Sequence, residues 1–534
     1  MAKPTRPAFR ATNGAVASPH YMATLAGLRI LQAGGSAVDA AIAVNSTLAV
    51  VYLHMSGIGG DAFWLIHDAE SGHVDALNAS GRSVAAATRE VYASRDRQRI
   101  PFRGPLAAIT TPATVDGWCR AHERYGKLPL ADCLADAISH ARDGFPVSDS
   151  LSIFIHNYAE MLAQYPHSKR TFLKDGRAPR PGEILKLPEL ADTLQAIADN
   201  GRDGFYTGGV ADEMTAAVAA AGGLWQPGDM EKTRSDWDEP ISTTYRGRTI
   251  LQHPPNCQGF VHLMLMNVLE NFDIASMGDR SAEFINLNVE ACRLIFQDRD
   301  RYLTDPDFTE IPLERLLSKE YAAELAARIR RKLPDNNVSQ PVSGDTTATA
   351  IVDGDGNAVS MIQSIYHEFG SGMVAGRTGV LLQNRGSMFS LDPSHVNTLE
   401  PNKRSFHTLV PGMMMNDGKF ELAYGTMGGE GQPQTSAMLV SRYVDFNMDV
   451  QRCVDAPRWL FGRTWGEELQ SLRLEETFGN DVLFSLRNTY KQPADLVETF
   501  SEIVGHACMI ARNSETGVLS AAADPRSEGI AAGW

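Results

Sequence analysis

The spacing of apolar positions changes from segment to segment along the chain, and each change marks an element. Ser18-Pro19 followed by residues 20–32 predicts a capped helix that Gly34-Gly35 stops. Ser36, with Asp39 three residues on, opens a second helix through Ala40-Ala41-Ile42-Ala43. Gly57-Ile58-Gly59-Gly60-Asp61 reads as a glycine turn entering the strand Ala62-Phe63-Trp64-Leu65-Ile66, and residues 76–82 pair with it. Helical periodicity dominates residues 128–220. Strands return at 245–251, across 346–382 and at 421–424. Helices and strands come in blocks rather than in strict alternation, which predicts an α+β layered sandwich.

One stretch resists this reading. In Ser343-Gly344-Asp345-Thr346-Thr347-Ala348-Thr349-Ala350-Ile351-Val352, a loop runs straight into paired threonines that open an apolar strand. The following Asp353-Gly354-Asp355-Gly356-Asn357 tolerates positive φ and turns the chain back into Ala358-Val359-Ser360 as a hairpin. Upstream, residues 332–345 combine two prolines with Asn, Ser and Gly and form the best candidate for an exposed break. Either the junction is an ordinary loop-to-strand step, or the chain is cut there and Thr346 becomes a new N-terminus.

Composition narrows the function classes. The 534 residues are 43% apolar and 21% charged, as in a globular protein. A formal charge of −15 argues against nucleic acid or an anionic membrane as partner. The basic N-terminus has no apolar run behind it, and no stretch approaches a membrane span. Cys119, Cys133, Cys257, Cys292, Cys453 and Cys508 lack metal-ligand spacing, so free buried thiols, a cytoplasmic location and no metal or cofactor are expected.

Two glycine turns invite chemistry. Gly57-Ile58-Gly59-Gly60 lacks a following Gly-Lys-Ser/Thr and leads into a strand, so a tight turn is expected rather than a phosphate loop. Gly428-Gly429 is delivered by the strand at 421–424, and successive glycine N–H groups can converge on an oxyanion. Taken alone, such a turn is usually just a turn.

Together with Gly34-Gly35-Ser36-Ala37-Val38-Asp39-Ala40-Ala41, Ala141-Arg142-Asp143-Gly144-Phe145, Thr346-Thr347, Phe369-Gly370-Ser371-Gly372, Pro401-Asn402-Lys403-Arg404 and Ala456-Pro457-Arg458, these turns make the chain resemble the γ-glutamyltranspeptidase family of N-terminal-nucleophile hydrolases. The resemblance implies a four-layer αββα sandwich and a proenzyme that cuts its own Asp345–Thr346 bond. It implies a large chain of residues 1–345 and a small chain of 346–534, interleaved in one sandwich. Thr346 would then be the nucleophile, with Gly428 and Gly429 as oxyanion donors. Ser364 falls where the family carries a secondary threonine that hydrogen-bonds the nucleophile. A free α-amine, with an ordinary pKa of about 7.7–8.0, supplies the base that a threonine hydroxyl lacks.

The family's substrate residues carry over poorly. The arginine position holds Ser80, with Arg82 displaced by two residues. Arg385 and Met388 stand where a Gln and an Asp are expected, His407-Thr408 replaces a Ser-Ser pair, and Tyr366 replaces an asparagine. Met cannot hold an ammonium as Asp would, and Arg385 would repel it. The pattern suggests a ligand with a carboxylate and no ammonium, held by Arg385 or Arg82. It resembles the oxamate amidohydrolase branch of the family. Plain alternatives exist for each residue: a structural ion pair for Arg385, a pocket wall for His407, packing for Tyr366 and Met388. For the whole chain the alternatives are a γ-glutamyltransferase or glutathione hydrolase, an acylase of the cephalosporin type, and an unprocessed binding relic. Partners are then a small amide substrate and the chain's own two pieces, with a homo-oligomer left open.

Overall fold

Period-two alternation builds the sandwich. Leu65, Ala350, Val352, Met413, Met415 and Ala423 pack together with Ala15, Ala17, Ile510 and Ala521 between two sheets. Their strand neighbours face the other way: Trp64, Ile66 and Ile351 toward one helical layer, Met414, Leu422 and Tyr424 toward another. The many alanines on the inner faces let the sheets come close. The computed structural model that shows this describes residues 4–331, 345–462 and 471–534. Residues 332–344, most of the expected exposed break, lie outside the described residues.

Both sheets are seven-stranded and antiparallel. The first is ordered Phe9–Ala11, Leu519–Ala523, Ala507–Arg512, Lys419–Thr426, Gly412–Asn416, Arg248–Gln252, Ile241–Tyr245. The second is ordered Ile530–Gly533, Ala15–Ser18, Asp345–Val352, Ala358–Tyr366, Asp61–His67, Val74–Ala79, Asp236–Asp238. Helices Tyr21–Gln32 and Ala37–Val51 cover the second sheet, Gly259–Leu269 and Gln432–Val444 cover the first, and Ala282–Tyr302 packs against Gly259–Leu269. The expected αββα sandwich is present.

Local signals mostly hold. Ser36 and Asp39 form a reciprocal capping box, and Gly34 has a φ of +90°. The first helix, however, is capped by His20, whose Nδ1 accepts the Met22 N–H at 3.2 Å. Ser18 stays in its strand and pairs with the Thr24 hydroxyl at 2.7 Å. The single strand expected at 245–251 is a hairpin instead. Arg246 and Gly247 both have positive φ (50° and 82°), which turns the chain between paired strands. All six cysteines are free and buried. Among the described residues, no helix is long and apolar enough to cross a membrane.

Candidate active site

The strand Asp345–Val352 enters its sheet through an irregularity. Asp345 pairs with Tyr366 and Thr347 with Gln363, so Thr346 alone faces both Ser364 and Ile365. The extra residue of this bulge lies on the strand Ala358–Tyr366, which bends opposite Thr346. Thr346 is buried (1% exposed), and its Oγ1 accepts a hydrogen bond from Gln432 Nε2 at 3.4 Å. Ser364 Oγ accepts the Tyr366 N–H at 2.8 Å.

The glycine turn comes from the facing sheet. A Cβ on Gly425 would lie 3.2 Å from the Ala348 Cβ, so the strand Lys419–Thr426 crosses close to the strand that carries Thr346. Three residues on, Gly428 (φ 122°) and Gly429 (φ 51°) lead into helix Gln432–Val444. Among the described residues, neither glycine N–H meets a backbone acceptor. Gln258 Nε2 ties this turn to the opposite wall, donating to the carbonyls of Gly429 (3.1 Å) and Thr408 (2.8 Å). Gln432 does the same on its own side, its Oε1 accepting the Val410 N–H at 2.9 Å. A buried ion pair, Arg299 to Glu430 at 2.7 Å, anchors the turn to helix Ala282–Tyr302.

Arg385 is the unusual group. Its guanidinium is 1% exposed and lies 4.1 Å from the centroid of the Tyr366 ring. Nη1 reaches Thr408 Oγ1 at 3.4 Å, while Nε and Nη2 have no hydrogen-bond partner among the described residues. Burial pulls its pKa down to about 10, which still leaves it cationic at neutral pH. A buried cation with two idle donors is costly unless an anion completes it. Tyr366 has a φ of 82° and gives its hydroxyl to Met388 Sδ at 2.6 Å.

His407 is buried beside Phe63 (ring centroids 4.7 Å) and clamped at its backbone by Asn256 and Gln258. Its Nε2 lies 3.2 Å from Asp61 Oδ2, and its Nδ1 has no partner among the described residues. Burial, then Arg385 and His253, hold the imidazole well below its ordinary pKa. Asp61 also accepts the Gly81 N–H at 2.9 Å, and burial pushes its carboxyl up to about 6.

The structure therefore brings Thr346, Ser364, Tyr366, Arg385, His407, Thr408 and the Gly428-Gly429 turn into one linked cluster. Arg82 is engaged by other partners. Its guanidinium is committed to Asp305 (3.0 Å) and Asp307 (2.6 Å), and it is about one-third exposed. Asp61, Gln258 and Gln432 were missed. Asp61 follows a glycine pair and looks like a turn residue, and neither glutamine sits in a patterned motif. One other group, Asp39, His122 and Cys133, gathers metal-type donors within 4.8 Å. There Asp39 Oδ2 already accepts the N–H groups of Ser36, Lys127 and Leu128, so the cluster is a helix-capping network.

Two antiparallel sheets between helical layers, with a threonine opening an inner strand, define an N-terminal-nucleophile hydrolase fold. The family model described as Gamma-glutamyltranspeptidase matches residues 23–534, and the chain belongs to that family of hydrolases and transpeptidases. It is 46% identical to the glutathione hydrolase-like YwrD proenzyme of Bacillus subtilis (98% of both chains). It is 40% identical to the oxamate amidohydrolase proenzyme of Klebsiella pneumoniae (98% of this chain, 99% of the other). A solved cephalosporin acylase from Bacillus halodurans superposes with a TM-score of 0.91 at 35% identity, covering 100% of this chain and 98% of that one.

Proposed function

We propose that this enzyme is a self-processing amidohydrolase that cleaves a small carboxylated amide, oxamate foremost, through a threonyl acyl-enzyme. Cleavage of Asp345–Thr346 frees the threonine amine. That amine takes the proton as Thr346 Oγ bonds to the amide carbon. The oxyanion rests on the Gly428 and Gly429 N–H groups, each donor being worth roughly 3–4 kcal/mol in comparable sites. The C–N bond then breaks, ammonia leaves with the proton, and water hydrolyses the ester. Ser364 and Gln432 keep the nucleophile's oxygen in place.

The observation that carries the substrate class is Arg385, a buried guanidinium with two donors that have no partner among the described residues. It fits a carboxylate. Asp61, the carboxylate within its field, is already engaged by Gly81 and His407 and so is poorly placed to receive an ammonium. A γ-glutamyl donor is the second reading, favoured by the identity to the relative named for glutathione hydrolysis. Turnover of oxamate and of a γ-glutamyl anilide by the same preparation separates the two. Hydrolysis of oxamate without release of the anilide is expected; the reverse overturns the proposal.

A further inference from the structure

We infer that His407 is a specificity residue: Asp61 fixes its Nε2–H tautomer, and the bare Nδ1 accepts the leaving-group N–H of the substrate amide. The inference rests on the amidohydrolase reading of this site and adds a second contact point to the one that Arg385 supplies.

The tautomer follows from the neighbours. Asp61 takes the Gly81 N–H on Oδ1 and faces His407 Nε2 with Oδ2 at 3.2 Å. An ionised carboxylate only accepts, so Nε2 must carry the proton. The same logic fixes histidine tautomers elsewhere through the partner of the other ring nitrogen. Nδ1 is then a lone pair, fully buried, with no donor among the described residues. Such a group is destabilising unless a ligand completes it. Arg385, joined to the same loop through Thr408, presents the opposite need: two donors without an acceptor.

A ligand that satisfies both carries an anion at one end and an N–H at the other. An ammonium would supply the N–H, but it would sit near the Arg385 cation with no ionised carboxylate touching it. A neutral primary amide meets both demands. Asp61 therefore acts through His407, as a positioning residue. The charged and titratable groups facing this pair are Arg385 and His253 in addition to each other. The Asp61 carboxyl titrates near 6, so the acceptor form prevails above that pH and is lost below it.

Two measurements on the processed enzyme test this. The first is the tautomer of His407, read from long-range proton–nitrogen NMR of histidine-labelled enzyme at pH 7.5, with the His407→Phe variant for assignment. A neutral ring protonated at Nε2 is expected; a ring protonated at Nδ1 overturns the inference, whatever the substrate proves to be. The second compares oxamate with the monoethyl ester of oxalic acid, which keeps the carboxylate but lacks the N–H. His407→Phe and Asp61→Asn should each lower kcat/KM for the amide at least tenfold more than for the ester. The wild-type amide-to-ester ratio should also fall as pH drops through about 6. Equal losses on both compounds, or a pH-independent ratio, overturn the inference. If the wild type turns over neither compound while its Thr346 is freed, the amidohydrolase reading fails, and the NMR result still decides the state of His407.

Discussion

Arg385 and Arg82 show how far single residues can be read. Both were candidates for a carboxylate, and only their surroundings separate them: one is buried with two donors idle among the described residues, the other is paired with two aspartates. Replacing Arg385 with Met should lower kcat/KM by on the order of 10²-fold or more. Because it removes a buried cation that has no carboxylate hydrogen-bonded to it among the described residues, it should leave Tm unchanged or raise it. Arg82→Ala should keep kinetics close to wild type. Steady-state kinetics and a thermal scan on both variants check this, and a strong Tm loss in Arg385→Met would mark a structural role. Thr346 was singled out by its motif position, and Tyr366 and His407 by their departure from the residues expected there. Asp61 was not, since its importance arises only when residues 81 and 407 fold against it.

At the scale of elements, signals contained in adjacent residues were legible and signals from distant backbone were not. The capping box at Ser36 and the turn at Asp353 are local; Asp353 Oδ1 accepts the N–H groups of both Asp355 (3.0 Å) and Asn357 (2.9 Å). Gly59 bridges to Leu382 and Gly60 bends the chain into its strand, and the need for glycine at both is tertiary. A Cβ at either would collide with a backbone carbonyl, of Leu381 or of Ser364. The glycine turn at 428–429 likewise depends on a partner far away in sequence, through Arg299 and Glu430. Arg299→Ala leaves the Glu430 carboxylate buried without its cation and should cost about 3–5 kcal/mol. The expected readouts are a lower apparent Tm together with lost turnover. An unchanged Tm would show that the turn holds its shape unaided.

Across the whole molecule, both sheets are built from segments that lie before residue 345 and segments that lie after it. In the second sheet, Ala15–Ser18 lies between Ile530–Gly533 and Asp345–Val352, and Asp61–His67 flanks Ala358–Tyr366. In the first, Arg248–Gln252 pairs with Gly412–Asn416, and Phe9–Ala11 with Leu519–Ala523. This order follows from the long crossovers, which no local pattern encodes, although the block arrangement of helices and strands pointed to the sandwich. A chain cut before Thr346 would therefore hold together without a covalent link. The two pieces should co-elute under native conditions and part only in denaturant. Separation in plain buffer would contradict the interleaving.

The proposed reaction requires that a freed Thr346 supply both hydroxyl and base. Intact-mass spectrometry of active purified enzyme measures it most directly. Two polypeptides are predicted, the smaller beginning at Thr346, with Thr346→Ala giving one uncut chain and no activity. Full activity from material that contains only the uncut 534-residue chain would contradict the account.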